Sequence, residues 1–168
     1  MGFKLPLDSL IYTPEALAFV DEPSVRIVRL KRPNYLAHFI SGELARTTGV
    51  FSSERGTQPD INLTLDVELC RTWLRDCHYN DRMLDSLARW HDTFGLTYEQ
   101  LADEDVLGAL QEFLGVVPQR LTSGFVKQRR RPMAEVITNW DEIVAALSGT
   151  RWEAFLEEER RFGAPSPA

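Results

Sequence analysis

Apolar positions along the chain alternate between two periods, and the changes of period mark the elements. Residues 14–20, PEALAFV, begin as a helix should, with Thr13 as N-cap, Pro14 at the first helical position and Glu15 next. VRIVRL, residues 25–30, reads as a strand in which Val25, Ile27 and Leu30 are apolar while Arg26 and Arg29 interrupt them. From residue 34, NYLAHFISGELAR sets Leu36, Phe39, Ile40 and Leu44 at helical spacing, with Asn34, His38 and Ser41 in a separate polar stripe. Residues 65–94 carry Cys70, Trp73, Leu74, Cys77, Leu84, Leu87 and His91 close to a heptad rhythm. That segment is one long helix, or two broken near Tyr79 and Asn80.

GLTYEQL, residues 95–101, reads as a short strand. DEDVLGALQEFLG then gives a helix that opens on acids, carries Val106, Leu107, Leu110, Phe113 and Leu114 on one face, and stops at Gly115. TNWDEIVAALSGT is capped by Thr138 or Asn139 and closes at Gly149; RWEAFLEEERRF is a last helix, with residues 163–168 a frayed tail. At the front, GFKLPL is short, apolar and ended by Pro6, as an edge strand would be. Residues 49–64 have loop chemistry, and SGFVKQRRRP is a basic loop. Strands separated by helices imply parallel pairing with helices packed on the sheet. The expected class is α/β, helix-rich, in one domain over residues 1–168. Trp73, Trp90, Trp140 and Trp152 are expected to be packing residues on helices.

Composition narrows the function. A formal net charge of −6 argues against broad nucleic-acid binding, and no apolar run reaches the length of a membrane span. The two cysteines, Cys70 and Cys77, are too few for a disulfide framework and read as buried thiols in a reducing cytoplasm. Three scattered histidines lack the spacing of metal ligands.

One place goes against the overall charge. Lys31 and Arg32 stand where the strand 25–30 hands over to the helix from 34. Ligands of parallel α/β layers sit outside the carboxyl ends of strands, and a helix start attracts anions. The arginine fork can hold two phosphate oxygens together, and Ser41 can add a hydroxyl hydrogen bond. The plainer alternative is surface charge at a strand end, with Ser41 as packing. Tyr98, at the end of the second strand, can stack on a nucleobase or belong to the core.

In order, GFKLPLDSL, VRIVRLKRPNYLAHFISGELARTTGVF, LTYEQLADEDVLGALQEFLGV and KQRRRPMAEVITNWDEIVAALSGTRWEAFL resemble the sulfotransferases that use 3′-phosphoadenosine 5′-phosphosulfate (PAPS). The nodulation-factor and glycolipid branch is the most similar, over about residues 2 to 158, with a poor match in 52–90. The resemblance implies a P-loop-NTPase-like three-layer fold and a hydroxyl-bearing acceptor, a carbohydrate, lipid or small metabolite. It assigns Arg32 and Ser41 to the 3′-phosphate, Tyr98 to the adenine, and Lys127, Gln128 and Arg129 to a loop closing over the nucleotide. Lys4 would touch the sulfuryl group from the front strand, against the plainer reading of an edge lysine.

Two departures stand out. Arg32 lies nine positions before Ser41, one more than in the family, with Pro33 at the family's arginine position. The strand, Ser/Gly-rich loop and helix that bind the 5′-phosphosulfate in the family have no match, so the fold is expected to be N-terminally truncated. Sulfuryl transfer needs in-line alignment, stabilisation of the leaving phosphate and a proton acceptor. No residue here identifies itself as that acceptor. Two functions follow: a PAPS-dependent sulfotransferase without a metal, or a non-catalytic remnant that binds a nucleotide or a protein. Either would gain from a second copy or a partner covering the open sheet edge.

Overall fold

The computed structural model describes residues 2, 4–6, 12–51, 61–122 and 131–162. Its elements, in order, are α1 (Pro14–Val20), β1 (Ile27–Lys31), α2 (Tyr35–Thr48), α3 (Val67–Ala88) and β2 (Thr93–Thr97). A 3₁₀ turn (Glu99–Ala102), α4 (Glu104–Leu114), α5 (Met133–Val136), α6 (Trp140–Leu147) and α7 (Glu153–Phe162) complete the series. The chain divides into two compact units. One holds residues 1–33 and 77–121, the other residues 34–76 and 122–168.

In the first unit, β1 and β2 pair in parallel, as strands separated by helices require, with Val28 beside Phe94 and Leu30 beside Leu96. The alternation of a strand puts these four on one face, where the Phe94 ring meets Phe113 of α4 at 5.6 Å. Arg29 and Lys31 take the opposite face. The 3₁₀ turn follows β2 directly and ends at Asp103. That residue caps α4: its carboxylate accepts from the backbone N–H groups of Asp105 and Val106 at 3.0 and 3.3 Å. Gly115, at φ +69, closes α4 in the left-handed conformation that glycine adopts without cost. Gln111 is the buried residue of α4, and its amide is fully used. It donates to the carbonyls of Leu107 and Gln119 and accepts from the N–H of Gln119 at 2.8 Å, tying residues 116–119 back onto the helix.

The second unit holds the larger core. Leu36, Ile40 and Phe39 from α2 meet Cys70 and Leu74 from the first half of α3, and Ile143, Leu147 and Leu156 from α6 and α7. Tyr35, Trp152 and Phe155 form an aromatic group beside it, with ring centroids 5.4 to 6.1 Å apart. Leu63 and Ile137 make an isolated parallel bridge through Leu63 N–H to Val136 O and Thr138 N–H to Leu63 O, each 2.8 Å. The hydroxyls of Thr64 and Thr138 meet at 2.6 Å.

Several expectations change. Residues 2 and 4–6 are not in a strand, and Lys4 is exposed, so the sheet has two strands among the described residues. A short apolar run has no strand without a neighbour to share its backbone groups. Of the two readings of residues 65–94, the single helix is the one found: α3 runs unbroken through Tyr79 and Asn80, both exposed, but it ends at Ala88. Trp90 lies past the end of α3 and is 83% exposed, where packing was expected. Leu114, expected on the buried face, is 42% exposed beside the turn at Gly115. Asn139 occupies the cap position of α6 but does not cap it. Its amide instead pairs with both backbone groups of Leu65, at 3.0 and 2.9 Å. Cys70 is buried and Cys77 half-buried, and both are free thiols.

Candidate functional site

Arg26, Arg29 and Lys31 have partners within the first unit. Arg26 donates to the Phe113 carbonyl at 2.6 Å, lies over the Phe113 ring at 5.7 Å, and has Asp92 at 3.7 Å. Arg29 is hydrogen-bonded to Asp85. The Lys31 ammonium lies 2.8 and 3.0 Å from the two oxygens of the same carboxylate and 3.7 Å from Asp81. The hydrogen bond from Lys31 leads in holding the Asp85 carboxyl below its ordinary range, and the charge of Arg29 adds to it against partial desolvation. Asp81 and Asp85 stand one helical turn apart on α3, so one face of that helix receives both strand cations.

Arg32 comes next and is placed differently. The ladder continues one step beyond the strands: Tyr98 N–H donates to the Lys31 carbonyl at 2.7 Å. Thr97 N–H donates to Gln100 Oε1 at 2.8 Å, so the 3₁₀ turn folds back immediately and fixes the tyrosine backbone. Arg32 and Tyr98 therefore leave the carboxyl ends of adjacent parallel strands together. The guanidinium carbon of Arg32 sits 4.8 Å from the centre of the Tyr98 ring. Arg32 is half-buried and Tyr98 is 40% exposed. Attraction between cation and ring face holds the guanidinium, whereas its N–H donors lie in its own plane. The pair is thus chemically suited to an anion attached to something flat or apolar.

The other residues of interest fall elsewhere. Ser41 belongs to the second unit, half-buried on α2. Asn34, 8% exposed, opens that helix by accepting from Ala37 N–H at 2.8 Å, so its side chain serves as a cap. His38 is exposed on the same helix, its ring edge-on to Trp73 at 5.4 Å. Lys127, Gln128 and Arg129 lie outside the described residues.

Among the described residues, no cluster of histidine, cysteine and carboxylate side chains is placed to hold a metal, and no helix is long and apolar enough to cross a membrane. Asp81 and Asp85 belong to no motif and are not singled out by composition. Their four-residue spacing on the helix before β2 is the signal that the sequence carries for them. No family model, curated protein or solved structure matches the chain.

Proposed function

We propose that the chain is a sulfotransferase-like protein in which Arg32 binds the 3′-phosphate of PAPS, in support of sulfuryl transfer to a hydroxyl of a carbohydrate, lipid or small metabolite. The observation that carries the reading is Arg32 against Tyr98 at the carboxyl ends of two parallel strands, 4.8 Å from the ring centre. Parallel α/β layers bind their ligands at that end. The short parallel sheet and its helices are, on this reading, part of the P-loop-NTPase-like three-layer sulfotransferase fold. When bound, the donor supplies an activated sulfuryl group and needs no metal. The part of this chain is to collect binding energy at a phosphate remote from the reacting sulfur.

The residues fit a phosphate in kind. Arg32 provides a permanently charged fork whose geometry matches two phosphate oxygens. Lys127, Gln128 and Arg129 keep the nucleotide roles that the resemblance gives them, as does Ser41. A second reading, a non-catalytic binding module, is favoured by Val28 and Leu30. These are 39% and 49% exposed on the sheet of β1 and β2, a surface that a partner or a second copy would cover.

Titration with 3′-phosphoadenosine 5′-phosphate tests the nucleotide site. Arg32→Ala is expected to weaken binding about 10- to 100-fold, as loss of a charge-assisted pair does. Affinity should also fall as salt rises. Equal affinity for adenosine 5′-phosphate, or no loss in Arg32→Ala, would overturn the reading. Ser41→Ala, made separately, tests the role given to α2. Sulfuryl transfer to an acceptor favours the enzyme, and nucleotide binding without transfer favours the module.

A further inference from the structure

We infer that Tyr98 serves a bound 3′-phosphate through Arg32, as a positioning residue, and not by contact with the base. The inference rests on the nucleotide reading above and changes the part that Tyr98 plays in it. Three observations lead to it. The guanidinium carbon is 4.8 Å from the ring centre, within the range in which the ring quadrupole attracts a cation. The ring has its own backbone anchor, through Tyr98 N–H to Lys31 O at 2.7 Å, one residue before Arg32. The turn after it is pinned by Thr97 N–H to Gln100 Oε1.

An arginine free in solvent must give up its rotamer freedom when it grips an anion. One already held against an anchored ring has given up part of that freedom beforehand, so its fork meets the phosphate with less left to lose. The tyrosine hydroxyl has no part in this arrangement; the ring alone is needed. Phenylalanine should therefore serve in its place, whereas an aliphatic side chain should not. If Tyr98 instead contacts the adenine, its importance must depend on there being an adenine.

The full chain is titrated with 3′-phosphoadenosine 5′-phosphate and with ribose 3,5-bisphosphate, which has no base. Tyr98→Leu is expected to weaken both ligands by the same factor, about two- to fivefold. Tyr98→Phe is expected to bind both as the wild type does. In the Arg32→Ala background, Tyr98→Leu should cost nothing more, since the group it positions is gone. A loss confined to the base-bearing ligand, or an undiminished loss in the double variant, would overturn the inference.

The Arg32 side-chain Nε–Hε resonance reads the contact without any ligand. It should show a ring-current shift in the wild type and Tyr98→Phe and lose it in Tyr98→Leu. An unchanged resonance in Tyr98→Leu removes the positioning role alone. A wild-type chain that binds neither ligand removes the nucleotide reading, and the role of Tyr98 with it.

Discussion

The guanidinium of Arg29 lies across the backbone of its register partner, Gly95, on its way to Asp85. A β-carbon built on Gly95 would stand 3.2 Å from one terminal nitrogen of Arg29 and 3.8 Å from Nε. The missing side chain is therefore what leaves Arg29 room, and the pairing of β1 with β2 is linked to the ion pairs on α3.

Gly95→Ala should be nearly neutral, within about 0.5 kcal/mol, because the far end of an arginine moves easily. Gly95→Val is larger at the same spot and should cost about 0.5–1 kcal/mol by displacing Arg29 from Asp85. In the Arg29→Ala background the sign should reverse, since valine then brings only its preference for strands. Urea unfolding of the four variants measures this, and an equal cost in both backgrounds would refute it.

Acid should weaken the first unit through Asp85. Its carboxyl titrates below the usual range, chiefly because of Lys31, so its contribution is complete above the unfolded value of about 3.9 and is lost as pH falls through the folded one. The Asp85 side chain is 46% exposed, which keeps the contribution to about 1 kcal/mol or less. Asp85→Asn should thus be less stable than wild type at pH 6, and the gap should narrow toward pH 3 and in high salt. Thermal melts across that range give the comparison.

The thiols should separate by reactivity. Cys70 is 1% exposed, and burial pushes its pKa up to about 12, so almost none of the reactive thiolate exists at neutral pH. Cys77 is half-buried. Ellman's reagent should label Cys77 in the native protein and reach Cys70 only on unfolding. Rapid native labelling of the Cys77→Ser variant would contradict this.

Asn139→Ala should destabilise the second unit by about 1–3 kcal/mol, because it leaves the N–H and carbonyl of Leu65 without their partners. Asn139→Asp keeps the acceptor and loses the donor, so an intermediate cost is expected. Amide exchange at Leu65 reports the lost bond directly.

Much of the architecture could be read from local chemistry. Asp103 and Gly115 bound α4, Asn34 and Gly49 bound α2, and the apolar spacing of α2 matches the buried Leu36, Phe39, Ile40 and Leu44. Such signals lie within a few residues of the feature they specify. What escaped depends on distant partners. Nothing near Asn139 announces that its amide pairs with Leu65, and nothing near Lys31 announces Asp85. Gln111 breaks an apolar face, yet only the backbone of Gln119 gives it a reason to be buried. At the candidate site, the arginine and tyrosine were recognisable one by one, while their stacking follows from the strand register, which no short segment contains.

The second unit is interrupted in sequence: residues 34–76 meet 122–168, with the first unit's 77–121 emerging between them. On a ribosome, then, Leu36, Phe39 and Leu74 are made long before Ile143, Leu147 and Leu156, the neighbours that cover them. At about 5–20 residues per second, several seconds of translation pass with that oily surface bare. A chaperone able to shield it in the interval, or a slow stretch of codons that prolongs it, would govern how much of the newborn chain escapes aggregation.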